Sequence, residues 1–175
     1  MTEKKINIDV SRIYNGEVKE IPFSFGIVPE GTEDMDLAFE NEARVTGKAY
    51  EKAHGKGKAE SYVELTFTID AESGTHCARC AKDMTIALHM EHTYGVTKKL
   101  EGDSDEFIEA PQGQIDVYEL AETAFYLELP TKVLCKEDCK GLCPLCGHDL
   151  NEGECGCDRS FGTNHLEGLK KLLDK

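Results

Sequence analysis

The sequence predicts an α+β protein: an antiparallel β-rich region packed on one central helix, then a cysteine-rich zinc-binding C-terminal segment and a short terminal helix. Three observations predict it. Val63, Leu65, Phe67 and Ile69 alternate with Glu64, Thr66 and Thr68, the two-residue period of a strand with one buried face. Val117, Leu120, Ala121, Ala124 and Phe125 recur at helical spacing. Eight cysteines form two groups, Cys77 with Cys80, and Cys135, Cys139, Cys143, Cys146, Cys155 and Cys157.

Taken in order, Ile6, Ile8 and Val10 alternate with polar residues and predict a short strand, followed by an Asn15-Gly16 turn. Pro22 to Gly31 suggests an extended or irregular connection, and the acidic stretch Glu30 to Glu42, around Leu37 and Phe39, a strand with a solvated face. Val45 to Ala53 reads as a strand weakened by Gly47, and His54-Gly55-Lys56-Gly57 as a turn. Tyr62 to Ile69 is the clearest strand. Met84, Ile86, Leu88 and Met90 repeat its period, which places Cys77 and Cys80 at the tip of a hairpin.

Thr97 to Gln114 is rich in acids, glycine and proline and predicts a mobile linker. The expected organisation is therefore a β-rich region over 1–97, an acidic linker over 98–114, and a helix plus metal-binding segment over 115–175. Asp116 is placed to cap the helix and Pro130 to stop it after Leu129. Asn164 with Glu167 resembles a capping box for a last helix carrying Leu166, Leu169, Leu172 and Leu173, with Lys170, Lys171 and Lys175 toward its C-terminal end.

A chain of 175 residues with 39% hydrophobic residues and no tryptophan can bury a modest core. Its net charge is −14, and eight thiolates around two Zn²⁺ would take it to about −18. Such a chain repels bare nucleic acid and membrane surfaces except through a local basic patch, so a basic protein is the easier partner. No apolar stretch follows Met-Thr-Glu-Lys-Lys, and no apolar run is long enough to span a bilayer. The expected location is cytoplasmic, where paired cysteines favour metal over disulfides.

Cys143-Pro144-Leu145-Cys146-Gly147 is a zinc-knuckle pattern. Two intervening residues let one ion hold both sulfurs, Pro144 presets a turn, and Gly147 permits the positive φ that turns backbone N–H groups toward sulfur. Cys155 and Cys157 can complete that tetrahedron, which leaves Cys77, Cys80, Cys135 and Cys139 for a second. Other partitions stay open: Cys135 or Cys139 exchanging with Cys155, or His76 or His148 replacing a thiol. His89 and His92 read as ordinary surface residues. A four-cysteine zinc has no open position, so it holds architecture rather than performing chemistry.

Other catalytic signals are thin: no phosphate-cradling glycine motif, no Gly-x-Ser-x-Gly and no His-Glu-x2-His is present. Glu101 to Glu109 reads as a solvated acidic run. Lys48, Lys52, Lys56 and Lys58 with Tyr50 make a small basic cluster on a hairpin, and Lys132, Lys136, Lys140 and Arg79 gather near the cysteines.

The order of these features resembles a known family. A β-rich region ends in Cys77-Ala78-Arg79-Cys80. A helix runs from Ile115-Asp116 to Leu127-Glu128-Leu129-Pro130. Then come Cys135, Cys139, Gly141, Cys143-Pro144-Leu145-Cys146-Gly147, Leu150-Asn151, Cys155 and Cys157. This is similar to the YceD-type large ribosomal RNA subunit accumulation proteins. The resemblance implies a cytosolic, non-enzymatic factor that supports accumulation of 23S ribosomal RNA. With the acidic charge, it points to a ribosomal protein or pre-ribosomal particle as partner, with some ribosomal RNA contact. It brings no catalytic residues. Two rival readings remain. One is a zinc-ribbon nucleic-acid-binding regulator with a basic face around Lys132 to Lys140. The other is an iron–sulfur or dithiol redox protein, in which Arg79 would lower a thiolate pKa at Cys77 or Cys80.

Overall fold

The structure, a computed structural model, describes residues 4–52, 62–98 and 107–157. The expected His54–Gly57 turn, Lys56, Lys58, most of the acidic run from Glu101 and the expected terminal helix with its four leucines lie outside those residues. The chain divides into two compact units, residues 1–75 with 85–131, and residues 76–84 with 132–175.

The first unit holds a five-stranded sheet in the order β2 (Glu20–Ile27), β3 (Ala43–Lys52), β4 (Tyr62–His76), β5 (Asp83–Thr97), β6 (Phe107–Glu109). His76 at the end of β4 and Asp83 and Met84 at the start of β5 belong to the second unit. β2–β3 and β3–β4 pair antiparallel, and β6 runs parallel to the end of β5. β4 and β5 are neighbours joined by only six residues, which allows only an antiparallel hairpin. A separate two-stranded sheet pairs β1 (Asn7–Asp9) with β7 (Gln114–Asp116), and the described residues of the unit also form two α-helices, α1 (Ser11–Tyr14) and α2 (Val117–Glu128).

The alternation seen in sequence becomes the buried face of the sheet. Val63, Leu65, Phe67 and Ile69 of β4 are buried together with Ala43, Val45 and Ala49 of β3. Gly47 is what the middle of β3 requires. It pairs with Phe23 on one side and Phe67 on the other, and a Cβ there would come within 2.5 Å of both the Phe67 Cβ and the Thr66 carbonyl. The missing side chain makes room for two aromatic ones.

The expectation of one central helix is not met. Strand residues supply most of the buried core, and α2 covers part of it with Val117, Tyr118, Ala121, Ala124 and Phe125. Its start agrees with the sequence reading: Asp116 accepts from the backbone N–H groups of Tyr118 (3.1 Å) and Glu119 (3.3 Å), satisfying two donors the helix leaves unpaired. Three further expectations differ. Pro22 lies inside strand β2, tolerated because β2 is a sheet edge. Glu30 to Glu42 is not a strand but a connection containing a 3₁₀ turn at Glu33–Met35. Residues 107–109 form a strand rather than linker, Gln114–Asp116 form another where the linker was expected to end and the helix to begin, and Gly95 leaves the space that the Phe107 ring occupies.

On the opposite face of the sheet Glu64 is 5% exposed although ionisable. It accepts hydrogen bonds from the Tyr50 hydroxyl and the Lys52 ammonium, with Tyr62 at 3.4 Å. Burial pushes its carboxyl upward, but the Lys52 and Tyr50 hydrogen bonds outweigh that and hold it below the ordinary value of 4.5. Lys48 likewise bonds Glu20 at 3.2 Å and lies over the Tyr50 ring, so the described lysines of the basic cluster are engaged with carboxylates. Because the folded-state pKa of Glu64 is depressed, its contribution to stability is present above pH 4.5 and is lost as pH falls through the folded value. Glu64→Gln should therefore flatten the acid limb of a thermal-midpoint-against-pH curve. An unchanged acid limb would assign that limb to other carboxylates.

Candidate metal centres

β4 ends at His76 and β5 begins at Asp83, so the chain must reverse over Cys77 to Lys82. It does so as a knuckle: the Cys77 N–H donates to the Lys82 carbonyl (2.9 Å) and the Ala81 N–H to the Cys77 carbonyl (2.8 Å). The second knuckle repeats this. The Cys143 N–H donates to the His148 carbonyl and the Gly147 N–H to the Cys143 carbonyl, both at 2.8 Å. In each, the residue after the second cysteine is left-handed, Gly147 at φ 73° and Ala81 at φ 54°. Gly147 was legible from sequence. Ala81 was not, since alanine carries no signal for that conformation. A left-handed alanine costs about 1–2 kcal/mol, partly offset in a replacement by the extra freedom of glycine when unfolded. Ala81→Gly is therefore expected to stabilise the second unit by up to about 1 kcal/mol, read from its denaturation midpoint. A loss of stability would contradict the strain reading.

The Ala78 N–H donates to the Val133 carbonyl at 2.8 Å, which lays the chain leading to Cys135 and Cys139 along the first knuckle. Four sulfurs meet there: Cys77 to Cys139 and Cys80 to Cys135 are each 3.7 Å apart. The edge of a tetrahedron with metal–sulfur bonds of ~2.3 Å is about 3.8 Å. Cys143, Cys146, Cys155 and Cys157 form the other group. Within each set the four sulfurs lie within 4.8 Å of one another. This is the partition the spacing favoured. His76 and His148 fall in neither group; His76 lies 3.2 Å from Asp83. The first centre is buried apart from half-buried Cys135, whereas the second has Cys146 exposed and only Cys143 fully buried.

The electrostatics of both groups are compatible with a bound cation. Backbone N–H groups of Cys135, Arg79 and Cys80 bring the Cys77 thiol down to about 6. Those of Leu145 and Cys146 bring Cys143 to about 6. In the opposite direction, burial and the neighbouring thiols push Cys135 up to about 12. The sulfurs of Cys146 and Cys155, with burial, do the same to Cys157. One thiolate per group is stabilised by the fold, and a last one is repelled by its neighbours. A divalent ion supplies the charge that lets all four ionise together. Such a set leaves no coordination position for water or substrate.

The surrounding residues hold the ligand loops. The Arg79 guanidinium donates to the carbonyls of Glu137 (3.2 Å) and Cys139 (2.8 Å). It fastens the Cys135–Cys139 loop, and the largest influences that lower the Cys77 thiol are the backbone N–H groups of Cys135, Arg79 and Cys80. Gly141 has φ 75°, and a Cβ there would lie 2.9 Å from the Arg79 carbonyl, which also accepts from the Leu142 N–H at 3.0 Å. Asp149 and Asn151 complete the frame: Asp149 accepts from the Asn151 N–H at 2.9 Å. Sequence reading missed Asp149. Its only signal was the Asp149-x-Asn151 spacing of an Asx turn. The histidines outside the cysteine groups divide. His89 is exposed between Asp70 (2.6 Å) and Glu91 (3.2 Å). His92 is not a surface residue: it stacks on Phe67 with ring centroids 5.1 Å apart, on the core side of β5.

Residues 65–173 match the family model described as large ribosomal RNA subunit accumulation protein YceD, a span that includes all eight cysteines. Searches among curated proteins and solved structures return no match. Among the described residues no helix is long and apolar enough to cross a membrane.

Proposed function

The chain belongs to the YceD family, and from that premise we propose that it is a non-enzymatic factor in the biogenesis of the large ribosomal subunit. Its name attaches the family to accumulation of the large ribosomal RNA. In our reading the chain supports 23S ribosomal RNA accumulation in the cytoplasm by binding a ribosomal protein or pre-ribosomal particle. The observation that carries this is the family match itself, which spans both cysteine groups. The net charge of −14 favours a basic ribosomal protein over bare RNA as the direct contact.

The metal we assign is Zn²⁺ at both centres, held by Cys77, Cys80, Cys135 and Cys139, and by Cys143, Cys146, Cys155 and Cys157. The all-sulfur donor sets and the 3.7 Å sulfur separations support it. When bound, the ion supplies charge and cross-links and leaves nothing open for a reaction. Elemental analysis of the purified protein should return about two zinc per chain and no iron. Iron with visible absorption would replace this reading with the iron–sulfur one.

Depletion of the protein followed by profiling of ribosomal particles tests the function. The expected result is a loss of large subunits relative to small ones, and an unchanged profile would remove the assignment. Capture at physiological salt tests the partner. Retention of a ribosomal protein or precursor particle is expected, while tight binding to protein-free ribosomal RNA would favour the zinc-ribbon regulator.

A further inference from the structure

We propose that the two centres load and release their ions as a linked pair, and that the Asn151 amide is the positioning residue that carries the link. This rests on the reading of both cysteine groups as metal centres. Asn151 lies in the loop between Cys146 and Cys155, both ligand positions of the second centre. Its side chain serves the other centre: Nδ2 donates to the Cys139 sulfur at 3.5 Å.

The amide has one orientation. Its Oδ1 accepts from the Lys140 N–H at 2.9 Å, and its Nδ2 also donates to Asp149 Oδ1 at 2.6 Å. Turning it over would set two donors against each other at Lys140 and oxygen against both a carboxylate and a sulfur. The loop itself is registered by the Leu142–Asp149 bridge and by the Leu150 N–H to the Gly141 carbonyl at 2.9 Å. A donor bonded to a coordinated thiolate disperses its charge and fixes its direction, and losing such a partner costs about 10–100-fold in metal affinity. An ion at the second centre therefore ties down both ends of the loop that presents this donor. Without that ion the loop ends are free, and the donor is held on Cys139 less firmly, by the Lys140, Asp149 and Gly141 hydrogen bonds alone. Because coupling between two binding sites is reciprocal, an ion in the first centre favours the second to the same degree.

The test uses the full chain loaded with Zn²⁺ alone. A chelator challenge is followed by alkylation of each cysteine, read residue by residue by mass spectrometry. Cys146→Ser, which removes a ligand of the second centre only, should speed exposure of Cys77 and Cys139 by about tenfold or more. Asn151→Ala should produce the same acceleration with the second centre's ligands intact, and the double variant should be no faster than either single one. Asp149→Ala, which releases the amide without altering it, should accelerate exposure as well and serves if Asn151→Ala does not fold. Glu152→Gln, in the same loop but outside the network, should change nothing. Unchanged exposure of Cys77 and Cys139 in the folded Asn151 or Asp149 variant would overturn the proposal, as would effects that multiply in the double variant. A wild-type chain that takes up no Zn²⁺ overturns the metal reading as well, and that outcome is distinct because it appears before any variant is made.

Discussion

Cys139→Ser is expected to empty the first centre, to weaken ion binding at the second, and to unfold the second unit, which holds both, while the sheet of the first stays folded. Cys139 is 2% exposed and stands 3.7 Å from Cys77. A serine hydroxyl does not ionise near neutral pH and is a poor ligand for an ion held by three thiolates, so the centre loses both charge and geometry. Among the described residues, hydrophobic burial adds little to hold the unit. Its hydrophobic cluster consists of Cys77, Cys80 and Cys139 with Met84, Leu134 and Cys135 packed against them. Structural zinc contributes about 10 kcal/mol or more to the folding of small metal domains, far above what this cluster supplies by burial. Elemental analysis, with limited proteolysis mapping cleavage to residues beyond Lys132, reads both parts of the outcome. Retention of two ions, or a protease-resistant second unit without metal, would refute the structural role.

Phe125→Ala should lower the stability of the first unit by about 3–5 kcal/mol, the usual cost of deleting a buried aromatic side chain. Phe125 is fully buried and meets Phe39 edge-on at 5.6 Å and Tyr126 at 5.4 Å. Phe39 belongs to the irregular connection between β2 and β3, so the cavity would loosen that connection as well as α2. Other contacts of the connection remain: Ala38 bridges Gly74, and the Tyr126 hydroxyl accepts from the Glu30 N–H at 2.9 Å. The loss should therefore be large without altering the sheet. Denaturant titration with a strand-sensitive signal measures it, and a change under about 1 kcal/mol would mean that the site collapses around the missing ring.

How much could be read in advance depended on whether a residue's reason was local. The β4 and β5 alternations, the Asp116 cap, the Pro130 stop and the Gly147 turn each follow from dihedral preference or from which face meets water. They were legible for that reason. Gly47 looked like a weakness in β3 because its purpose, room for Phe23 and Phe67, lies on two other strands. His92 passed for a surface residue because a polar side chain on a strand carries no sign of the ring it will stack against. The acidic composition around residues 107–116 concealed two short strands, one paired parallel with the end of β5 and the other with β1, which is distant in sequence.

The cysteine spacing divides in the same way. Residue order settles that two knuckles form, because Cys-x2-Cys closes a turn through its own backbone and a left-handed residue after it. Which thiols share an ion is a matter of distance between segments, and only the folded chain decides it. Cys77 and Cys139 are 62 positions apart and come together because a hairpin tip and a later loop exchange backbone hydrogen bonds. The reach of Asn151 from one centre's loop to the other centre's sulfur belongs to the tertiary structure as well, since no spacing rule relates an amide to a thiolate twelve residues away.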